Sequence, residues 1–444
     1  MATTFNVSPE AAQATIKAAL HDRILGCLFG SALGDAIGLY TEFLSTDMAL
    51  HSYTDRKFTL LPSDQATPFR HDSHRAPHLP GEWTDDTDHA MLILLAYLHV
   101  DGKELDPKEF ASRLSIWVQQ GLRALDTLPL GLGRTVGAIV RSKAYLEGPE
   151  DTARHHWKIC NYNAAPNGSL MRTHPLGLMC LNKTLDETFE VAASYSVMTH
   201  VDPRCIICCA VGTALVRGLT LGEIRSEGGI DDVAKKALEW WERYREGQMK
   251  DESRKDEPDL DRDEFWQHVR VEDYADLELG QGWKIGYVYK CFGAGVHALR
   301  LAFRALGSRP KTLHNEMSIF EPLITDLIMW GGDADTNACF AGALLGSFLG
   351  YKNLPTHWRD GLTHGEWLLQ KSESLCAVVG VVDMWYSGPD DKDTAPDGGR
   401  GFITPHEMEG KAMLLQARMV EREREWKRKE EEKKKGGSSW FGWK

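Results

Sequence analysis

Apolar residues along this chain recur at the three- and four-residue spacing that lines one face of an α-helix, and no segment alternates with the period of two expected of a strand. The pattern predicts helices over residues 11–20, from 22 onward, and over 91–100, 107–124, 185–199, 204–219, 287–306 and 319–330. No repeat of fixed length emerges, so the expected fold class is all-α rather than a solenoid. Within the second of these helices Gly26, Gly30 and Gly34 fall every fourth residue, making a smooth ridge along which another helix can approach closely. No strand precedes these glycines, which excludes a phosphate loop or dinucleotide fingerprint.

Two acidic stretches interrupt the apolar text far apart in sequence, residues 81–88 (Gly-Glu-Trp-Thr-Asp-Asp-Thr-Asp) and 331–338 (Gly-Gly-Asp-Ala-Asp-Thr-Asn-Ala). Each opens onto an apolar helical run. Thr84 or Asp85 as a helix N-cap accounts for a single acid. It does not account for Asp85 beside Asp86, or for Asp333 and Asp335 behind two glycines that let the backbone bend sharply. Clustered carboxylates repel one another unless neutralised, and a hard divalent cation with oxygen ligands meets that need. The two stretches are read as halves of one metal site.

Other breaks carry weaker signals. The polar segment 45–80 contains His71, His74 and His78, without the Cys or second His pair that would complete a tetrahedral zinc set. Asn167, Gly168 and Ser169 offer backbone N–H groups to a phosphate, with Leu170 and Arg172 behind them; an ordinary interhelical turn has the same composition. Gly133 and Thr135 lie in a Gly-rich turn, and His200 in a helix junction where it can cap a C-terminus. Glu42, between Tyr40 and Phe43, suits a carboxyl group moving protons. Residues 221–281 turn charged and Trp-rich, as an insertion packed loosely on a main domain of 1–405 would. Residues 406–444 read as a charged helical tail projecting into solvent, with aromatics at 440–443 available for docking.

A formal net charge of −13 argues against non-specific nucleic-acid binding and means that an anionic substrate needs cations at its site. There is no secretion signal and no long uncharged apolar run, so neither a membrane nor a secretory route is expected. Nine cysteines, mostly in apolar helical text, suit reduced thiols in an intracellular, cytoplasmic or nuclear protein. Cys205, Cys208 and Cys209 read as core residues. The chain is expected to act as a monomer.

In order, Gly34-Asp35-Ala36-Ile37-Gly38 with Glu42, Thr84-Asp85-Asp86-Thr87, Gly131-Leu132-Gly133 with Thr135, Asn167-Gly168-Ser169-Leu170-Met171-Arg172, Thr199-His200 and the stretch 331–338 together resemble the ADP-ribosylglycohydrolase family over residues 22–385. The resemblance implies a compact helical fold with a binuclear Mg2+ or Mn2+ centre in a cleft. Thr84, Asp85 and Asp86 would supply one side of it and Asp333, Asp335 and Thr336 the other. Glu42 falls where some members carry a catalytic or metal-gating glutamate, with Asp85 as the other carboxylate implied in catalysis. Gly133, Thr135, Asn167, Gly168, Ser169, Leu170 and Arg172 would face the ribose and diphosphate of an ADP-ribose-containing substrate, and His200 matches loosely. The leaving group stays open among arginine, serine or another side chain, an acetyl group and a phosphate. A protein that binds ADP-ribose without turnover is the reading from a different class.

Overall fold

The glycine ridge determines how this molecule is assembled. The computed structural model describes residues 8–307 and 319–438, and among these it is helical, with one isolated antiparallel bridge between Pro166 and Tyr287. The helix Pro9–Gly38 runs antiparallel to Ala334–Leu349 with their backbones touching. A Cβ placed on Gly26, Gly30 or Gly34 would lie 2.4, 2.3 and 1.9 Å from the carbonyl oxygens of Gly346, Gly342 and Ala338. At Gly38 the same atom would meet the Asp335 Cα at 2.3 Å. Because the helices are antiparallel, this contact delivers the C-terminal end of one, with Asp35, to the N-terminal end of the other, with Asp335.

Gly34→Ala therefore cannot be absorbed by a side-chain rotation, since the obstacle is backbone. Overpacking of about 1–3 kcal/mol is expected, measured as a lowered denaturation midpoint. An unchanged midpoint would mean that the helices are free to part.

The first helix is continuous where the hydrophobic pattern suggested a break near residue 21. His21, Asp22 and Arg23 are only a polar patch, with no Gly or Pro to end the helix. The helix Asp85–His99 starts six residues before the expected 91, because the acids form its first turn under a Thr84 cap. Pro107–Gln120 stops short of 124 at Gly121, whose φ of +72° ends the helix.

Two further corrections concern packing. The segment expected to lie loosely is tightly held: Trp240 and Trp241 are 2% exposed, and their indole N–H groups donate to Glu190 and Asp259. Arg154 forms a buried ion pair with Glu257 of the same segment. The C-terminal helix Pro405–Ser438 does not project freely: Lys411 pairs with Asp126, the Arg422 guanidinium donates to the His78 carbonyl, and Trp426 stacks on His71 with ring centroids 4.0 Å apart. The terminal aromatics 440–443 lie outside the described residues.

The helix Pro203–Leu221 is long and apolar enough to cross a membrane, but it is an interior helix, 89% buried over its most apolar window. It carries Cys205, Cys208 and Cys209, each fully buried with its thiol pushed up by burial, and all nine cysteines are unpaired.

Candidate metal centre and substrate cleft

Three chain segments converge where the antiparallel helices bring Asp35 and Asp335 together. Asp35, fully buried, accepts hydrogen bonds from the Thr84 and Thr87 backbone N–H groups at 2.9 and 3.0 Å and from the Thr87 hydroxyl at 2.6 Å. One carboxylate thus fixes the first turn of Asp85–His99 against the first helix. Beyond the turn, Asp88 is held by the indole N–H groups of Trp83 and Trp117 at 2.9 and 2.8 Å. These anchors leave Asp85 and Asp86 at the helix mouth.

From the other side Gly331 and Gly332 adopt φ values of +69° and +75°, which a side chain would resist. Their bend pairs with the 43–44 backbone: Phe43 N donates to Gly332 O at 2.6 Å and Gly332 N to Leu44 O at 2.9 Å. Glu42 is thereby tied to Asp333 and Asp335, and carboxylate oxygens of these three lie within 4.8 Å of one another. The Thr84 hydroxyl is 3.2 Å from Asp86 and 3.5 Å from Asp335, so the two acidic stretches meet. Thr336 reaches Asp333 at 3.4 Å, and the Asn167 amide donates to Asp333 at 2.9 Å.

The electrostatics of this cluster are unfavourable without a cation. Two like charges about 4 Å apart repel by roughly 4 kcal/mol at an effective dielectric near 20. Burial, with the Asp86 charge next, pushes the Asp85 carboxyl well up; burial, with Asp35 next, does the same to Asp86. Burial and the Glu42 charge raise Asp335 well above the carboxylate range and Asp333 to about 6. Burial takes Asp35 to about 7 despite its donors. Asp86 Oδ1 is buried with no hydrogen-bond partner. An all-oxygen donor set with a partnerless buried carboxylate oxygen fits a hard divalent cation.

The residues expected from the sequence to face a substrate divide. Asn167 and Gly168 border the centre, Gly168 lying beside the His200 imidazole. Gly133 is exposed and Thr135 half-buried at the start of the helix Arg134–Val140. Ser169, Leu170 and Arg172 are fully buried and face inward, contrary to expectation. Ser169 Oγ accepts from Ser196 and Cys209, and Arg172 donates to Thr199 and Tyr195 while covering the Phe110 ring. The 3-10 turn at Asn167–Ser169 leaves Asn167 on Asp333, and from Ser169 onward the chain is in the core. Burial holds His200 neutral, well below the imidazole range, with Nδ1 on the Thr199 hydroxyl at 2.7 Å. It packs the turn and does not cap a helix.

Next to the centre a cavity of about 610 Å3 is lined by Arg134, Thr135, Pro166, Trp283, Lys284 and Tyr287. Gly286 joins it to the acids: Asn167 N donates to Gly286 O, and a Cβ on Gly286 would lie 3.1 Å from Asp333 Oδ2. Trp283 is 75% exposed, with the Lys284 ammonium 4.6 Å over its ring.

The family model of the ADP-ribosylglycohydrolases matches residues 16–385, which includes every one of these elements except the C-terminal helix. The chain belongs to the ADP-ribosylglycohydrolase family. It is 24% identical over 363 residues to the ADP-ribosylarginine hydrolase Tri1 of Serratia proteamaculans, covering 82% of this chain and 81% of that protein. To the ADP-ribosyl-dinitrogen reductase glycohydrolase of Rhodospirillum rubrum it is 23% identical over 344 residues, covering 77% and 91%. A solved ADP-ribosylglycohydrolase-related protein complex overlays with a TM-score of 0.48 at 21% identity, covering 81% of this chain and 99% of that one.

Against this ADP-ribosylglycohydrolase frame, several contributors escaped the sequence reading. Asp35 was visible as an acid between Gly34 and Gly38, but its role depends on the distant Thr84 and Thr87. The histidines of 71–78 form no common site: His74 contacts Glu42, His78 is buried beside it, and His71 meets Trp426. Trp283, Lys284 and Tyr287 fell at the edge of a segment read as an insertion.

Proposed function

We propose that this protein is a divalent-metal-dependent hydrolase that cleaves the bond joining the distal ribose of an ADP-ribosyl group to its leaving group. The observation that carries this reading is the meeting of both acidic stretches and Glu42 around the partnerless Asp86 oxygen. Asp85, Asp86, Asp333 and Asp335, with Thr84 and Thr336, would hold two Mg2+ or Mn2+ ions. When bound, such ions supply Lewis acidity and lower the pKa of water.

The chain's own residues do the rest. Gly168 and the Gly133–Thr135 rim supply backbone and hydroxyl contacts to the ribose and phosphates, while Arg134 and Lys284 bring positive charge to the diphosphate. The Trp283 and Tyr287 rings offer a face for the base. Hydrolysis forms a bond from water oxygen to the anomeric carbon and breaks the bond to the leaving group, which departs with a proton. Glu42, only 6% exposed, is placed to move that proton. Since one relative is named for ADP-ribosylarginine, the arginine linkage is the first substrate to test.

ADP-ribose is expected to bind far more tightly than adenosine in calorimetry with Mg2+ or Mn2+, because only ADP-ribose presents the diphosphate and distal diol. Trp283→Ala should weaken ADP-ribose binding roughly tenfold, since base-to-ring stacking contributes about 1–3 kcal/mol. Equal affinity for the two ligands would remove the phosphates and distal ribose from the site. A metal-dependent turnover screen over ADP-ribosylated arginine and serine peptides, with O-acetyl-ADP-ribose beside them, then tests the reaction; no release from any of them contradicts the reading.

A further inference from the structure

We propose that His74 is a positioning residue for Glu42, and that the C-terminal helix Pro405–Ser438 holds the loop that presents it. The inference rests on the reading above, in which Glu42 serves turnover. It concerns a part of the chain beyond the family match, which ends at 385.

Glu42 lies past the end of the first helix, in a turn that includes Phe43 at φ +58°. A glutamate has three rotatable side-chain bonds, and fixing it costs on the order of 1–2 kcal/mol of rotamer entropy unless a partner compensates. His74 is that partner: its Nε2 bonds Glu42 Oε2, and the Phe43 ring packs against its imidazole with centroids 4.7 Å apart. His74 belongs to a segment without helix or strand, so the segment needs anchors of its own.

The inner anchor is Arg75, 2% exposed, whose Nε donates to the Leu39 and Tyr40 carbonyls at 2.9 and 3.0 Å and whose Nη2 donates to the Glu42 carbonyl. Asp72 completes it, with Oδ2 2.6 Å from Arg75 Nη1. The outer anchors come from the C-terminal helix. The Trp426 indole lies flat on His71, 4.0 Å between centroids at an interplanar angle of 9°, and Arg422 Nη2 donates to the His78 carbonyl at 2.6 Å. Residues 71 and 78 bracket His74, so the helix grips both ends of the stretch that carries it. Lys411 secures the same helix to Asp126 farther along. The line of contact therefore runs from Trp426 and Arg422 through the 71–78 segment to His74 and Glu42.

The test uses the full-length protein and four variants, His74→Ala, His74→Gln, Trp426→Ala and His74→Ala/Trp426→Ala, with Glu42→Gln as control. Trp426 is 43% exposed, so its removal leaves the core intact. His74→Ala is expected to lower kcat roughly tenfold with KM little changed, the scale for losing a group that orients a site residue. His74→Gln, which keeps a donor in reach, recovers part of the loss. Trp426→Ala lowers kcat roughly three- to tenfold, as remote coupling does. It also speeds amide hydrogen exchange in 71–78 without moving the melting temperature. The double variant matches His74→Ala, because the helix acts only through that side chain. If Trp426→Ala leaves kcat and loop exchange unchanged while Glu42→Gln is inactive, the brace is wrong and the role of Glu42 stands. Multiplicative losses in the double variant also overturn it. Normal turnover in Glu42→Gln removes the role of Glu42 itself, a separate failure.

Discussion

Replacing Asp333 and Asp335 together by Asn is expected to abolish divalent-metal binding and turnover, while the helices stay folded. The two acids enter from one helix start and face Glu42, Thr84 and Asp86, so their loss empties one side of the centre. Metal content by elemental analysis and metal-induced rise in melting temperature check the outcome. Unchanged metal content would disprove the joint site. In the metal-free protein the same variant is expected to melt higher than wild type, because mutual repulsion among buried carboxylates has been reduced.

The pH dependence follows with a definite sign. Asp35 and Asp333 have folded-state values of about 7 and 6, above the ordinary value of 3.8. Between the ordinary and the raised values the folded chain holds more protons than the unfolded chain, so stability falls as pH rises through that window. Chelated protein should therefore melt higher at pH near 5.5 than near 7.5. Added Mg2+ or Mn2+ should flatten this slope, since a cation takes over the neutralising role of the protons. A chelated protein whose stability rises with pH over this interval would contradict the burial of these carboxylates.

What was legible in the sequence, and what was not, separates along physical lines. The glycines at 26, 30 and 34 announced a close helix contact, because a missing Cβ every fourth residue has one obvious use. Their partners at 342 and 346 were equally visible as glycines, yet only the fold reveals that the two ridges run antiparallel and so join Asp35 to Asp335. The meeting of the two acidic stretches was readable because clustered carboxylates demand a common neutralising partner. The inward turn of Ser169, Leu170 and Arg172 was not: the chain enters the core directly after Gly168, and residue type alone does not say where that happens. The tail was misread for a related reason. Its balanced charges suit solvent, whereas the contacts that dock it belong to a few side chains: Lys411 on Asp126, and Arg422 and Trp426 reaching a loop more than 340 residues earlier.

Glu42→Gln is expected to lower turnover by roughly a hundredfold or more, the scale of lost general acid–base help. The amide has the size of the carboxyl and can still accept from His74, so the turn and its Arg75 anchor persist. It cannot carry a proton. ADP-ribose affinity should change little, because the contacts proposed for the diphosphate and base are with Arg134, Lys284 and Trp283, which line the neighbouring cavity. The Glu42 charge raises both Asp333 and Asp335, so its removal eases that repulsion and should raise the melting temperature of chelated protein. Two measurements then separate a proton carrier from a ligand. Retained metal content with lost turnover makes Glu42 the proton carrier, whereas lost metal makes it a ligand, as its placement within 4.8 Å of Asp333 and Asp335 also permits. Near-normal turnover would transfer the proton role to Asp85, the carboxylate packed against Gly131 at the helix mouth.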